Sequence, residues 1–183
     1  MTTRPAPPDP RAPRIGHGWD LHRLAPIPEP GHPPTGEAGR PLVLGGVPLG
    51  SPVGPVAHSD GDVLLHAVTD ALLGAIAAPD IGQLFPDTDP GNRGRASAEF
   101  VRAAAERVRA AGYAVGNMDC TIIAQHVRVG PHRQAIRESV AALLGVEAAR
   151  VNVKGKTHEG VDALGEARAI AAHCVVLLLP VPV

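Results

Sequence analysis

The stretch His58-Ser59-Asp60-Gly61-Asp62-Val63-Leu64-Leu65-His66-Ala67-Val68-Thr69-Asp70 is the part of this sequence around which a fold and a site can be predicted. Asp62, His66 and Asp70 are four residues apart, so in an α-helix they lie along one face. A solvated amphipathic helix shows similar spacing, but Ala, Val and Leu fill most other positions here. A largely buried helix over 61–77 is therefore predicted, and buried carboxylates and imidazoles need partners, which favours a functional site.

The residues before this helix predict how it begins. Ser59 and Asp62 have the spacing of a capping box, so the helix is expected to start just after His58, with the Ser59 side chain capping it. His58 would then lie beside the positive end of the helix dipole. The helix should end before Pro79, because the residue preceding a proline is disfavoured in the helical region.

Length and composition narrow the class of protein. The 183 residues predict one domain over 14–183, preceded by a disordered Pro-rich tail over 1–13. The net charge of −1, without long basic runs, argues against nucleic-acid or membrane-surface partners. No apolar run reaches the roughly 18 residues of a membrane span, and no basic-then-apolar signal segment is evident, so a cytoplasmic protein is expected. Cys120 and Cys174 are expected to be buried free thiols.

A second pair of polar residues precedes the helix in the sequence. Asp20 and His22 share one face of a strand predicted over 14–22. With His66 they would offer one oxygen and two nitrogens, the ligand set of a catalytic zinc site whose fourth position is left for water or substrate. Such an ion would polarise a phosphoryl or carbonyl oxygen, or acidify water. Spacing leaves open whether Asp62 or Asp70 is instead a ligand, or orients His66.

Hydrophobic periodicity and turn residues predict the remaining elements. These are a surface loop over 25–40, a hairpin over 41–49 that turns at Gly45-Gly46, a helix over 97–111, a strand over 118–124, a helix from Pro131 to Gly145, a strand over 151–154 and a strand over 169–179. The last strand is apolar enough to be buried on both faces or to lie against another subunit. In the turn over 155–160, Lys156 and Thr157 have the chemistry to hold a phosphate and Glu159 that to ligate a divalent cation, although an ordinary charged turn has the same composition.

Several motifs resemble those of the 2-C-methyl-D-erythritol 2,4-cyclodiphosphate synthase family. They are R-I-G-H-G-W-D-L-H-R at 14–23, A-H-S-D-G-D-x-x-x-H-A-x-T-D-A-L-L-G at 57–74, D-I-G-x-L-F-P-D-T-D-P at 80–90, T-I-I-A-Q at 121–125 and V-N-V-K at 151–154. They follow the family order across nearly the whole chain from Arg14 onward. The resemblance implies a single compact α/β (α+β) domain, with a mixed sheet and helices packed on one face. It also implies a homotrimer with the sheets around its three-fold axis and active sites between subunits.

The resemblance implies a phosphorus–oxygen lyase of the non-mevalonate isoprenoid pathway. Such an enzyme converts 4-diphosphocytidyl-2-C-methyl-D-erythritol 2-phosphate into 2-C-methyl-D-erythritol 2,4-cyclodiphosphate and CMP, by attack of the 2-phosphate on the β-phosphorus. By motif, Asp20, His22 and His66 would bind one Zn²⁺ per subunit, and Glu159 a Mg²⁺ or Mn²⁺ between the α- and β-phosphates. His58 and Thr157 would stabilise the transition state. The implied substrate contacts are Asp20, Leu21, His22, His58, Ser59, Asp80, Ile81, Gly82, Phe85, Pro86, Asp87, Thr88, Asp89, Ala124, Gln125, His126, Val127, Arg128, Val129, Gly130, Lys156, Thr157, His158 and Glu159.

The sequence departs from the family pattern in two places. Residues 155–159 read G-K-T-H-E where many members have A-T-T-T-E, and residues 163–168 read A-L-G-E-A-R where F-T-G-R-G-E is usual. Ala163 and Glu166 thus replace an aromatic residue and an arginine that line the substrate and trimer axis. Weak or absent binding of an isoprenyl diphosphate in a central cavity is predicted. The alternative functions are a zinc-dependent phosphohydrolase and a catalytically inactive trimer that binds cytidine nucleotides.

Overall fold

The computed structural model describes residues 11–29, 31, 36–86 and 88–182, so most of the predicted tail lies outside the described residues. The strands are β1 Arg14–Pro26, β2 Val43–Leu44, β3 Val47–Pro48, β4 Val53–Pro55, β5 Tyr113–Ile123, β6 Val151–Lys156 and β7 Ala169–Pro180. The α-helices are α1 Val63–Ala75, α2 Ile81–Leu84, α3 Ser97–Ala110, α4 Arg133–Leu144 and α5 Asp162–Gly165. Three short 3₁₀ turns cover Pro90–Asn92, Gly130–His132 and Ala148–Arg150.

Five strands form a mixed sheet in the order β4-β1-β7-β5-β6, and β2 and β3 form a separate hairpin. The β5–β6 pair is parallel, and the other pairs of the large sheet are antiparallel. Helices α1, α3 and α4 enclose the main core against one face, while the short α5 packs Leu164 against Ala169 and Ala171 elsewhere on the sheet. The fold is therefore a single α+β domain, as predicted. Among the described residues, none of the helices is long and apolar enough to cross a membrane.

Two glycines bring α1 directly onto β1. A Cβ atom on Gly16 would lie 1.9 Å from the carbonyl oxygen of Ala71, and one on Gly18 would lie 1.9 Å from that of Ala67. Both distances are far inside van der Waals contact, so only residues without a side chain permit this approach. Because side chains alternate along a strand, the same face continues to Asp20, which is thereby placed beside the helix.

Helix α1 begins later than predicted, and its cap is Asp62 rather than Ser59. The Asp62 carboxylate accepts hydrogen bonds from the backbone N–H of Leu65 at 3.1 Å, Gly45 at 2.9 Å and Gly46 at 2.7 Å. A carboxylate can accept all three bonds, whereas the hydroxyl of Ser59 is used locally and accepts from Gly61 N at 3.1 Å. The prediction of Ser59 as the cap was therefore wrong.

The later start also moves His58 away from the helix end, because four residues now separate it from the first residue of the helix. It lies instead in the loop between β4 and α1 and is exposed. At its other end α1 stops at Ala75, two residues before the predicted Ala77, which has a positive φ of 54°.

The other predicted helices and strands are confirmed, most with small shifts at their ends, but β5 begins at Tyr113, five residues before the predicted start. Residues 30 and 32–35 of the predicted loop lie outside the described residues. The hairpin turns at Gly45 and Gly46, and the helix predicted over 97–111 ends at Ala110, so Ala111 lies just outside it and is exposed. Cys120 and Cys174 are buried free thiols, with their sulfur atoms 3.6 Å apart across β5 and β7.

The face of the sheet opposite α1 is apolar and open. Ile15 is 72% exposed and Trp19 51% exposed on β1, and Val175 is 45% exposed on the neighbouring β7. The start of the final strand is thus buried on both faces, since α5 covers Ala169 and Ala171, whereas further along the same face Val175 and Leu179 are exposed within this chain. Large apolar side chains gathered on one open face are typical of an interaction surface.

Candidate functional site

Three predicted metal ligands converge where β1 faces α1. Asp20 Oδ2 lies 3.0 Å from His66 Nδ1 and 3.2 Å from His22 Nε2, and the two imidazole nitrogens are 3.2 Å apart. Among the described residues, this is the one group of three or more His, Cys, Asp or Glu side chains whose ligand atoms converge in this way. The predicted meeting of the strand pair with the helical histidine is therefore confirmed.

The donor set fits a metal ion. Ligands about 2.0–2.1 Å from a tetrahedral zinc lie about 3.4 Å from one another, close to the separations in this cluster. Although burial acts to raise the pKa of Asp20, the neighbouring imidazoles of His66 and His22 hold it below its ordinary value. Asp20 is thus ionised at neutral pH, as a metal ligand must be.

The orientation of His66 is fixed by residues that sequence analysis missed. Its Nε2 lies 2.9 Å from the Ser97 hydroxyl and 3.1 Å from that of Ser59, and Ser97 in turn donates a short hydrogen bond to the Asp60 carboxylate. With its proton directed to Asp60, the Ser97 oxygen accepts from the His66 Nε2–H, which leaves Nδ1 free to coordinate a metal.

The contact between His66 and Ser97 could not be predicted from local sequence, because these residues are 31 positions apart. Asp62 and Asp70, the two acids that the helical spacing had suggested for this role, are engaged elsewhere. Asp62 holds the hairpin turn, and Asp70 accepts from the backbone N–H of Ile81 at 2.8 Å. Neither acid is among the converged ligands.

A cavity of about 280 Å³ opens beside the three ligands. Its lining includes the predicted contacts Asp20, His22, His58, Ser59, His66, Ile81, Gly82 and Phe85, together with Val56, Ala57, Asn92 and Phe100, which were not predicted. Phe85 and Phe100 pack with ring centroids 4.6 Å apart and form an apolar wall, against which the guanidinium of Arg95 is stacked. Leu21 does not line this cavity and is 40% exposed, because alternation along β1 directs it to the opposite face.

The other described residues among the predicted contacts over 80–89 do not line this cavity; they are Asp80, Pro86, Thr88 and Asp89. Asp80 caps α2 by accepting from Gln83 N at 2.8 Å, and Asp89 accepts from Gly91 N at 2.9 Å. The carbonyl oxygen of Pro86 accepts from Asn92 Nδ2 at 3.0 Å, and Thr88 is exposed. Asp87 lies outside the described residues.

A second cavity, of about 530 Å³, contains the predicted substrate contacts over 124–130 together with Lys156 and Thr157. It is lined by Ala124, Gln125, His126, Val127, Arg128, Val129, Gly130, Pro131, Gly155, Lys156 and Thr157, and shares no lining residue with the first. At its edge, the Thr157 hydroxyl donates to Glu159 Oε1 at 2.7 Å, and the His158 N–H donates to Gln125 Oε1 at 3.2 Å. Hydrogen bonding to the Val161 carbonyl, aided by Asp162, raises the pKa of the His158 imidazole. Within one chain the predicted site residues thus form two separate groups.

Comparison with known proteins identifies the family. The model of the YgbB family matches residues 13–179. The 2-C-methyl-D-erythritol 2,4-cyclodiphosphate synthase of Trichlorobacter lovleyi is 49% identical over 167 residues, which are 91% of this chain and 99% of that relative. This chain belongs to the 2-C-methyl-D-erythritol 2,4-cyclodiphosphate synthase family. The chloroplastic synthase of Catharanthus roseus is 52% identical over 166 residues, 91% of this chain, and the chain spans 65% of that relative's length.

Solved structures of synthases have the same fold. The CDP complex of IspF from Plasmodium falciparum is 34% identical with a TM-score of 0.78, and the match covers 94% of this chain and 99% of that one. A 2C-methyl-D-erythritol-2,4-cyclodiphosphate synthase in its CDP-bound form is 42% identical with a TM-score of 0.77, over 90% of this chain and 99% of that one.

Glu166 and Ala163, which depart from the synthase family pattern, form an exposed ion pair and a small apolar contact, respectively. Glu166 forms an ion pair with Arg168, its Oε2 lying 2.6 Å from Nη2, and both side chains are more than half exposed. Ala163 packs against the small apolar cluster that contains Leu164. At these two positions the chain therefore provides neither an aromatic ring nor a guanidinium group.

Proposed function

We propose that this synthase-family chain converts 4-diphosphocytidyl-2-C-methyl-D-erythritol 2-phosphate into 2-C-methyl-D-erythritol 2,4-cyclodiphosphate and CMP, as a phosphorus–oxygen lyase of the non-mevalonate isoprenoid pathway. The observation that carries the proposal is the convergence of Asp20, His22 and His66 in a cavity of a chain that is about half identical to named synthases. In the reaction an oxygen of the 2-phosphate forms a bond to the β-phosphorus. The bond from that phosphorus to the bridging oxygen breaks, and the oxygen departs on CMP with its electron pair.

We assign the metals by the chemistry of their ligands. One Zn²⁺ would be held by Asp20, His22 and His66, and a Mg²⁺ or Mn²⁺ by Glu159. When bound, such ions neutralise phosphate charge and polarise phosphoryl oxygens. The chain's own contribution is to orient these ligands, since Ser97 and Ser59 contact the far nitrogen of His66.

The other residues would bind and position the substrate. His58 lies in the wall of the first cavity, where it can donate a hydrogen bond to a phosphoryl oxygen. Thr157 would do the same from the second cavity, whose wall over 124–130 is assigned to the cytidine. The CDP-bound synthase relatives support a cytidine nucleotide as the ligand. Bringing the 2-phosphate and the diphosphate into contact supplies much of the rate, because cyclisation needs no nucleophilic side chain.

We further propose a homotrimer whose sheets surround the three-fold axis and whose active sites lie between subunits. The open apolar face, with Ile15, Trp19 and Val175 exposed, supports such an assembly. So does the division of the site residues between two cavities that share no residue. One subunit would supply the three metal ligands, and its neighbour the cytidine wall. Residues 14–183 would form this single catalytic domain, and a cytoplasmic location remains a prediction.

Phosphorus NMR of the product mixture, with Zn²⁺ and Mg²⁺ supplied, tests the activity. Release of CMP together with a cyclic diphosphate is expected. Linear phosphate products would instead identify a zinc-dependent phosphohydrolase that uses water as the nucleophile. Binding of CDP without turnover, despite full zinc occupancy, would identify a nucleotide-binding trimer that has lost catalysis.

Complementation between two inactive variants tests the shared site. His66→Ala removes a metal ligand from one half of the site, and Glu159→Gln removes a carboxylate from the other. If each site uses His66 from one subunit and Glu159 from its neighbour, trimers assembled at random from equal amounts of both variants have about one quarter of their sites intact. Coexpressed variants should therefore recover about a quarter of the wild-type rate. A mixture no more active than its components would mean that both residues act within one subunit.

A further inference from the structure

Two histidines meet on the open face of the sheet, away from the three predicted metal ligands. His17 lies on β1 and His173 on the neighbouring β7, and His17 Nε2 lies 3.3 Å from His173 Nδ1. Because side chains alternate along a strand, His17 projects to the face opposite Asp20, which lies three residues further along β1. The pair therefore belongs neither to the metal-ligand cluster nor to the cavity beside it.

The strands hold both imidazoles at fixed positions. Residues 14–23 of β1 pair without interruption with residues 169–178 of β7, so both histidines lie in the middle of an antiparallel ladder. The glycines on either side of His17 lie directly against α1 and hold this part of β1 in place. The Trp19 ring lies beside that of His173, with centroids 6.2 Å apart. Side chains on such rigid elements are preorganised to bind a ligand.

The two imidazoles have the protonation that metal binding requires. Burial and the charge of His17 lower the pKa of the His173 imidazole, so it is neutral at neutral pH. Neither ring of the pair forms an ion pair with a carboxylate of the described chain, unlike the rings of His22, His66 and His158. In the contact between two neutral imidazoles, one ring nitrogen donates and the other accepts. Transfer of the donated proton to the far nitrogen of its own ring directs both lone pairs to one point.

The separation of the two nitrogens suits a transition metal. Nitrogens bound about 2.0–2.1 Å from a tetrahedral ion lie about 3.4 Å apart, close to the 3.3 Å between these two atoms. Imidazole is a good ligand for zinc, copper and nickel, whereas Mg²⁺ and Ca²⁺ prefer oxygen. We propose that His17 Nε2 and His173 Nδ1 form a further metal site, which binds a divalent transition-metal ion with water in the remaining positions. This inference goes beyond the proposed synthase activity and does not depend on it.

Trp19 is the single tryptophan of the chain, so its fluorescence reports on this site. The wild-type protein, first loaded with one equivalent of Zn²⁺ for the three-ligand cluster, is titrated with Cu²⁺, a paramagnetic ion that quenches nearby indole fluorescence. We expect quenching that saturates at one Cu²⁺ per chain, without release of the zinc. His17→Gln and His173→Gln should each raise the apparent dissociation constant about 10-fold or more, because loss of a direct ligand costs at least as much as loss of a group that orients one.

Two other variants show where the copper binds. His132→Gln removes an imidazole from the 3₁₀ turn before α4, is the matched control, and should leave the quenching unchanged. His66→Ala, which removes a ligand of the other cluster, should also retain it. Quenching that is lost in His66→Ala but survives in His17→Gln and His173→Gln would overturn the inference, because the copper would then have replaced zinc.

The absence of saturable quenching in the wild-type protein would overturn the inference without any variant. Formation of cyclic diphosphate, followed separately by phosphorus NMR, tests the proposed activity. The proposed metal site and the proposed activity can therefore fail independently of each other.

Discussion

Replacement of Asp62 by alanine should destabilise the protein far more than an ordinary loss of a helix cap. The side chain is fully buried, and its carboxylate accepts three backbone hydrogen bonds, from Leu65 in the first turn of α1 and from Gly45 and Gly46 in the β2–β3 turn. Asp62→Ala leaves all three N–H groups without an acceptor. Each buried unsatisfied donor costs about 1–3 kcal/mol, and water entering the vacated space would recover part of that. We expect a loss of about 3–5 kcal/mol in the free energy of unfolding.

The same helix provides a matched control. Asp70 accepts only one backbone hydrogen bond, from Ile81 N at 2.8 Å, and is about half buried, so Asp70→Ala should cost about 1 kcal/mol. Urea unfolding of both variants at one fixed protein concentration measures the difference, since assembly affects apparent stability. If Asp62→Ala proved no more destabilising than Asp70→Ala, the three hydrogen bonds to Asp62 would not contribute the expected 3–5 kcal/mol to the free energy of unfolding.

Three further outcomes are expected. Gly18→Ala should force α1 away from β1, which lowers the free energy of unfolding by at least about 1–3 kcal/mol and reduces the zinc content. Gly50→Ala, where a Cβ atom would meet open space, is the control and should change neither quantity. His66→Ala should lose stoichiometric zinc by elemental analysis yet stay largely folded; His58→Ala, which lines the same cavity outside the ligand group, should keep the zinc. Burial raises the pKa of Asp62 to about 6, above its value in the unfolded chain. The stability that Asp62 adds relative to Asp62→Asn is therefore complete below about pH 4. Chemical unfolding of both proteins should show this difference decrease by about 3 kcal/mol as the pH rises through 6.

The features that could be predicted from the sequence are those set by local pattern. Alternation along β1 places Asp20 and His22 together, and the Gly45-Gly46 pair marks the hairpin turn because both residues have positive φ. The choice between Ser59 and Asp62 as the cap is not local. Both fit the N-cap preference, and the outcome depends on two N–H groups that the hairpin brings from 16 and 17 residues away.

The site was predictable in its ligands but not in what orients them. Ser97 stands at the start of a helix, where a serine usually caps the backbone, yet Ala96 is the cap and the Ser97 hydroxyl bridges His66 and Asp60 instead. Contacts of this kind depend on how α1 and α3 pack, which periodicity within either helix does not specify.

Asp62, His66 and Asp70 share a helical face, yet their roles differ because each lies about 6 Å further along the helix axis than the one before. At the level of Asp62 the helix meets the hairpin turn, at the level of His66 it meets β1, and at the level of Asp70 it meets the start of α2. The two carboxylates therefore bind the backbone of the segments on either side of the imidazole. Because Asp70 positions Ile81 and its neighbours, which line the cavity beside the metal ligands, the acids that bind no metal shape the space in which the substrate would lie.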